Sequence, residues 1–226
     1  MRHLALCIAL MMPLAATATP PRILAMSDRL VGLSNDALFV ERVVQDNLGY
    51  HVTTFSDIML VRIPFDGSAP EVHPLRTVLE DGNRAFDEGA AVAVDEVFLA
   101  QAGLHQRLAQ AGAAPRHHAP TVTPEWTISN DSDSGITLSR QDGPAFHLNA
   151  RAAAQAAWTA TLAALPVDRP DAREVEIFDY DIATCTVDGV RDIWFPDDRP
   201  LAFAYVVCGD EYETQFVSFW LRLDPA

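Results

Sequence analysis

The sequence predicts an α+β protein: mainly antiparallel β-sheet, with one longer helix mid-chain, one short alanine-rich helix and a single disulfide. Three observations lead there. Apolar–polar alternation bounded by turn residues fills Arg22 to Val78 and returns from Trp126 onward. Between these stretches the apolar spacing lengthens to three and four residues, the period of a helix. Two cysteines, Cys185 and Cys208, remain once an N-terminal leader is set aside.

The leader is residues 1–18, MRHLALCIALMMPLAATA. Arg2 and His3 form a short positive head, Leu4 to Leu14 an apolar run, and Ala16-Thr17-Ala18 a small-residue cleavage pattern, as in a secretory signal peptide. The other reading, a first core helix, is disfavoured by Pro13 inside it and Thr19-Pro20-Pro21 after it. The run is also shorter than the ~20 apolar residues needed to span a bilayer. The expectation is a periplasmic or extracellular protein with no membrane span after cleavage. Cys7 leaves with the leader, and an even cysteine count in an oxidising compartment favours a Cys185–Cys208 bridge over two free buried thiols.

Removing 18 residues from 226 leaves 208. That length suits one compact domain over 19–226, or two lobes, 22–112 and 125–226, joined by the proline-rich AAPRHHAPTVTP segment. Composition is globular, with 49% hydrophobic and 21% charged residues. The formal charge is −15, and all 16 basic residues are arginine. So acidic a chain is repelled by phosphate backbones, which argues against nucleic acid as a partner. Without lysine there is no Schiff-base chemistry and no P-loop lysine. No cofactor is expected.

The elements follow in order. Ile23–Leu33, Ala37–Val44, Phe55–Phe65 and Val72–Val78 read as four strands of a meander. Turns fall at Ser34-Asn35-Asp36, at Asp46 to Gly49 and at Asp66-Gly67-Ser68. Val94, Val97, Phe98, Leu104 and Leu108 predict a helix from about Ala91 to Gln110, weakened at Gly103. WTISN, GITLSR and PAFHLN are strands, and Asn149 caps the helix ARAAAQAAWTATLAAL, which stops at Pro166. EVEIFDYDIATCTV ends in Asp188-Gly189, a favoured two-residue hairpin turn, and VRDIWF, LAFAYVVC and YETQFVSFWLRL follow.

Here the disulfide meets the meander. If VRDIWF were a separate strand, the cysteine strands would lie two apart, nearly 10 Å, whereas a disulfide spans Cα atoms only to about 7 Å. Giving priority to the pairing makes the cysteine strands neighbours and VRDIWFP a bulged or excluded connection.

Chemical motifs are sparse. Asn130 to Gly135 contains the D-x-D-x-G start of a calcium loop, with Asp131 and Asp133 as candidate ligands. It lacks the closing glutamate, and a polar hairpin turn is the plainer reading. His117-His118 are adjacent in a loop with no H-E-x-x-H or cysteine support for a metal. His51, His73, His105 and His147 are isolated. There is no G-x-S-x-G, so a Ser/His/Asp set could only assemble in space. Asp179 and Asp181, and Asp210, Glu211 and Glu213, form acidic clusters expected at opposite ends of the cysteine-strand pair. A two-carboxylate hydrolase would need them at a defined separation. Phe216, Phe219 and Trp220 alternate along the last strand, which would leave some of them exposed for contact.

The function these readings favour is an exported, soluble, non-catalytic binding or interaction module for a protein or small-molecule partner. The alternative is a cofactor-independent or calcium-assisted hydrolase using carboxylates or a spatial Ser/His/Asp set.

Overall fold

The computed structural model describes residues 23–47, 53–82, 93–98, 103–115, 126–131, 135–140, 143, 145–165, 184–194, 200–209 and 215–223. The leader, His51, His117, His118, Asp133, Asp179, Asp181, Asp210, Glu211 and Glu213 lie outside them.

The first four strands form as their alternation predicts. They are β1 (Leu24–Leu33), β2 (Ala37–Asp46), β3 (Thr53–Pro64) and β4 (Glu71–Asp81), paired antiparallel in sequence order. Ser34 and Asp36 close the first turn: the Ser34 hydroxyl donates to Asp36 Oδ1 at 2.5 Å and accepts the Ala37 N–H at 3.1 Å. The β3–β4 turn needs Gly67, whose φ is +86°. A Cβ there would also fall 2.2 Å from Arg222 Nη1. Gly67→Ala should therefore cost about 1–2 kcal/mol for the left-handed backbone, read as a lower melting temperature with unchanged circular dichroism. Pro74 sits at a register shift opposite Ile58 and Met59, where a strand tolerates a residue without an N–H.

The long mid-chain helix is a correction. Residues 93–98 form strand β5 (Ala93–Phe98), antiparallel to β4, and among the described residues of the stretch the helix is confined to Leu104–Gln110, as α1. Gly103 is the N-cap of α1, in extended conformation, so it separates two elements where one was expected. Val94, Val97 and Phe98 favour a pleated surface once β4 offers a ladder, and tertiary pairing overrides a periodicity that both structures share. Leu108 is buried, and α1 packs with Ala113 over Val31, Phe39 and Leu60 on the outer face of the sheet. Strand β6 (Ala114–Pro115) then pairs with the end of β1.

Strands β7 (Trp126–Asp131), β8 (Gly135–Arg140) and β9 (Phe146–Asn149) make a separate three-stranded antiparallel sheet. Asp131 opposes Gly135 at the end of the β7–β8 ladder, and residues 132–134 lie outside the described residues. Helix α2 (Ala150–Ala164) follows; at 15 residues it is the longer of the two described helices, reversing the expected lengths. Asn149 caps it, accepting the Ala152 N–H at 3.0 Å. Asn149→Ala should cost about 1 kcal/mol, measurable in a urea titration with an unchanged slope. Ala150, Ala154, Trp158 and Thr161 form its buried stripe.

The last strands are β10 (Thr184–Trp194), β11 (Pro200–Gly209) and β12 (Gln215–Leu223). Asp188-Gly189 is not a hairpin turn. It lies at a register shift inside β10, which runs through it as one strand along β11, so VRDIW is a ladder segment and not an excluded connection. The conflict between disulfide and meander disappears: Cys185 stands directly opposite Cys208, bonded, with Cα atoms 4.1 Å apart. This is close to the narrow pairing distance of an antiparallel ladder.

Strand β12 then runs parallel to β1, so the large sheet is mixed and not purely antiparallel. Its order is β10-β11-β12-β1-β2-β3-β4-β5, with β6 beside the end of β1. Trp158, Phe146, Leu138 and Ile136 pack against Val206, Val217 and Phe219 in the largest core cluster, which also draws in Met26, Val44 and Met59. A second cluster brings Leu201, Phe203 and Trp220 against Leu30, Val40, Val61 and Ile63. Leu30 and Met26 share a face of β1, whereas Trp220 lies on the face of β12 opposite Val217. Beyond Ser27–Ser218 the two strands therefore separate, and the end of β12 rides over the face of β1 to β3.

Candidate functional site

Where β1 and β12 part, the first residue without a ladder partner on β12 is Asp28. Its carboxylate fills the gap, accepting the Trp220 N–H at 3.2 Å through Oδ2. Arg42, directly across on β2, grips both oxygens, Nε to Oδ1 at 2.7 Å and Nη2 to Oδ2 at 2.8 Å. Its remaining Nη1 donates to Thr161 Oγ1 on α2 at 2.7 Å, and that hydroxyl donates to the Ala157 carbonyl at 2.7 Å. Asp28 is 0% exposed and Arg42 4%. A bidentate pair of this kind combines charge with fixed geometry. It pins four elements, β1, β2, β12 and α2, and is almost wholly withdrawn from solvent. On the same face Thr77 donates to Asp57 Oδ1 at 2.8 Å, and Asp57 is also buried.

The opposite face is covered by α1 over Val31, Phe39 and Leu60, with Ile58 packed against that cluster, and is partly exposed beyond it. Register alone defines two rows across it. One runs Thr186, Val207, Ser218, Ser27, Val43, Ile58 from β10 to β3. The next runs Gly209, Phe216, Ala25, Gln45, Ser56. Neither contains a charged residue, although about one residue in five of this chain is charged, 21% in all. Phe216 is 43% exposed, and Ile23, two residues before its partner Ala25, is 42% exposed. Tyr205 borders the rows, its ring tilted against Trp220 at 5.2 Å between centroids and packed on the second core cluster. Burial pushes its phenol above the usual tyrosine range, so it stays a neutral hydroxyl, held by a hydrogen bond with Ser218. Among the described residues, charges flank the rows at Asp188 near Tyr205, at the Arg29–Glu41 pair at 2.8 Å and at the Arg76–Glu96 pair beyond Ile58.

The residues singled out by sequence are scattered. Asp131 ends β7, and Asp133 lies outside the described residues. The acidic clusters themselves are also outside them, but the antiparallel register puts Thr184 opposite Gly209. The strand ends leading to the two clusters are therefore side by side, not at opposite ends as expected. His105 is exposed on α1, His147 Nδ1 is 3.1 Å from Thr137 Oγ1, and His73 is 3.6 Å from Glu71. Among the described residues no group of three or more His, Cys, Asp or Glu could hold a metal ion. Nor is any described helix long and apolar enough to cross a membrane. Of the three C-terminal aromatics, Phe219 and Trp220 are buried and Phe216 is exposed.

Sequence reading missed Asp28, Arg42 and Thr161. A signal was present: Asp28 interrupts the Met26–Leu30 alternation, and Arg42 the Val40–Val44 alternation, each at a position whose neighbours two residues away are buried. Two opposite charges breaking adjacent apolar faces are the trace of a buried pair. Compared with known families, curated proteins and solved structures, the chain matches none.

Proposed function

We propose that this chain is an exported, non-catalytic interaction module that meets its partner with the outer face of β10, β11, β12, β1 and β2. The observation that carries the reading is the pair of uncharged rows crossing those strands, with Phe216 and Ile23 standing out of them, in a chain of net charge −15. Two exposed large hydrophobics on an uncharged stretch of surface support an interaction site. The sealed Asp28–Arg42 pair supports the same reading, since the most constrained charges serve the sheet and not a cleft. Export is supported by the leader pattern and by a disulfide that an oxidising compartment would maintain.

A photo-crosslinking amino acid at position 216, with the same group at exposed Gln155 on α2 as control, tests the surface in the producing cell. A discrete adduct from 216 and none from 155 is expected. No adduct, or the same adducts from both, would overturn it. Export is tested on the recovered protein: an N-terminus near Thr19 and a mass two hydrogens below the thiol form are expected. A chain still starting at Met1 in the cytosol would refute it.

A further inference from the structure

We propose that the Asp188–Gly189 step of β10 is a site of self-modification, at which the folded chain converts Asp188 to isoaspartate without an enzyme.

Four Asp-Gly pairs occur in the sequence, at Asp66, Asp81, Asp142 and Asp188. Each offers the same reagents: a side-chain carboxyl and, one residue on, a main-chain amide with no side chain to shield it. At the fourth pair the Gly189 nitrogen attacks Cγ of Asp188. The N–Cγ bond forms, the Cγ–OH bond breaks, and the hydroxyl leaves with the amide proton as water, closing a succinimide ring. Water then adds back. Addition at Cγ restores aspartate. Addition at the main-chain carbonyl carbon of Asp188 breaks its bond to the Gly189 nitrogen, so the chain runs on through Cβ and Cγ and the α-carboxylate becomes the side group. One water leaves and one returns, and no other reactant is consumed.

The fold treats these pairs unequally. Asp142 lies outside the described residues. Asp66 is tied down: its Oδ1 accepts the Ser68 N–H at 2.9 Å and the Ser68 hydroxyl at 2.6 Å. Those bonds hold its carboxyl below the usual range, so less of it carries the proton that the departing hydroxyl needs. Gly67 is fixed as well, at φ +86° with Arg222 Nη1 close against it. Asp81 is half-buried at the end of β4, its Oδ1 3.5 Å from Thr53 Oγ1. Asp188, by contrast, is exposed, and the ladder steps from Val187–Val206 to Gly189–Tyr205 and skips it. The extra residue of such an irregularity is unpaired and its backbone leaves the regular pleat. Strand β10 also ends the order of the sheet, so among the described strands only β11 borders this step. Ring closure needs the carboxyl to swing over the next amide, and here no residue across the ladder and no second flanking strand opposes that swing. The product adds a main-chain carbon just past the end of β10 that Cys185 ties to Cys208, with residues 189–194 following the insertion.

The test holds the full mature chain, disulfide intact, at about pH 5, where part of an ordinary aspartate is still protonated. The same chain unfolded in guanidinium chloride is held beside it. Peptides from both are mapped for isoaspartate by electron-transfer fragmentation. Position 188 should keep most of its unfolded-chain rate in the folded protein, whereas 66 and 81 should slow by about fivefold or more on folding. Gly189→Val, which sets a branched side chain beside the amide, should suppress the reaction at 188 and leave 66 and 81 unchanged. Folding that protects 188 as fully as 66 would overturn the inference. So would isoaspartate appearing first at 66 or 81 in the folded chain, or a Gly189→Val chain that isomerises at 188 as fast as the wild type.

Discussion

Arg42→Met should lower the stability of the folded chain by about 3–5 kcal/mol, the cost of leaving a buried carboxylate without its counter-ion. At about 2–4 °C per kcal/mol for a chain of this size, the melting midpoint should fall by about 6–20 °C. Methionine keeps most of the arginine stem, so the loss reports the guanidinium: two bonds to Asp28 and one to Thr161. The second half of the experiment adds Asp28→Leu. Replacing both ends of a buried pair by apolar groups commonly removes most of the penalty. Here recovery should be incomplete, because the Trp220 N–H loses its acceptor, which costs about 1–3 kcal/mol. Thr161 is not left stranded, since its hydroxyl already donates to Ala157. Calorimetry of the wild type and the single and double variants checks the order. A single variant as stable as wild type would mean the pair contributes nothing.

Removing the disulfide should cost about 3 kcal/mol on the chain-entropy estimate, since the bridge closes a separation of 23 residues. The Cys185→Ala, Cys208→Ala double variant should lose somewhat more than reduced wild type, because Cys208 is buried in the main core and the substitution also removes its sulfur there. The location of the loss matters as much as its size. Strand β10 ends the order of the large sheet, and among the described strands it is laddered only to β11. Hydrogen exchange should therefore quicken first in residues 184–194, while β1 to β3 keep their protection. Uniform loss across the sheet would show that the bridge serves the global fold and not the edge strand.

How much of this was legible follows from which interactions are local. The meander of β1 to β4, the Asn149 cap and the alanine-rich helix depend on near neighbours and on strict alternation, and they read correctly from residue patterns. The stretch from 91 to 110 misled because Val94, Val97 and Phe98 suit a helix face and a pleat equally, and the choice was made by the waiting edge of β4. Asp188-Gly189 misled for the same reason: a favoured turn pair was overridden by a ladder long enough to absorb it as an irregularity. Within the candidate surface, alternation named Phe216, Phe219 and Trp220 as residues of which some would be exposed, and only Phe216 of the three is. Its neighbours Ile23 and Ser27 come from the far end of the chain and meet it through the parallel β1–β12 pairing. No local pattern announces such a pairing.

That pairing also governs when the molecule can become itself. Leu24 waits for Gln215, and Asp28 for the amide of Trp220, 192 residues further along. A growing chain thus carries its central strand half-zipped through nearly all of its synthesis, and contacts of such long sequence separation form slowly. Until the last strand is delivered there is no finished sheet to resist unthreading, a delay that the export proposed above would exploit.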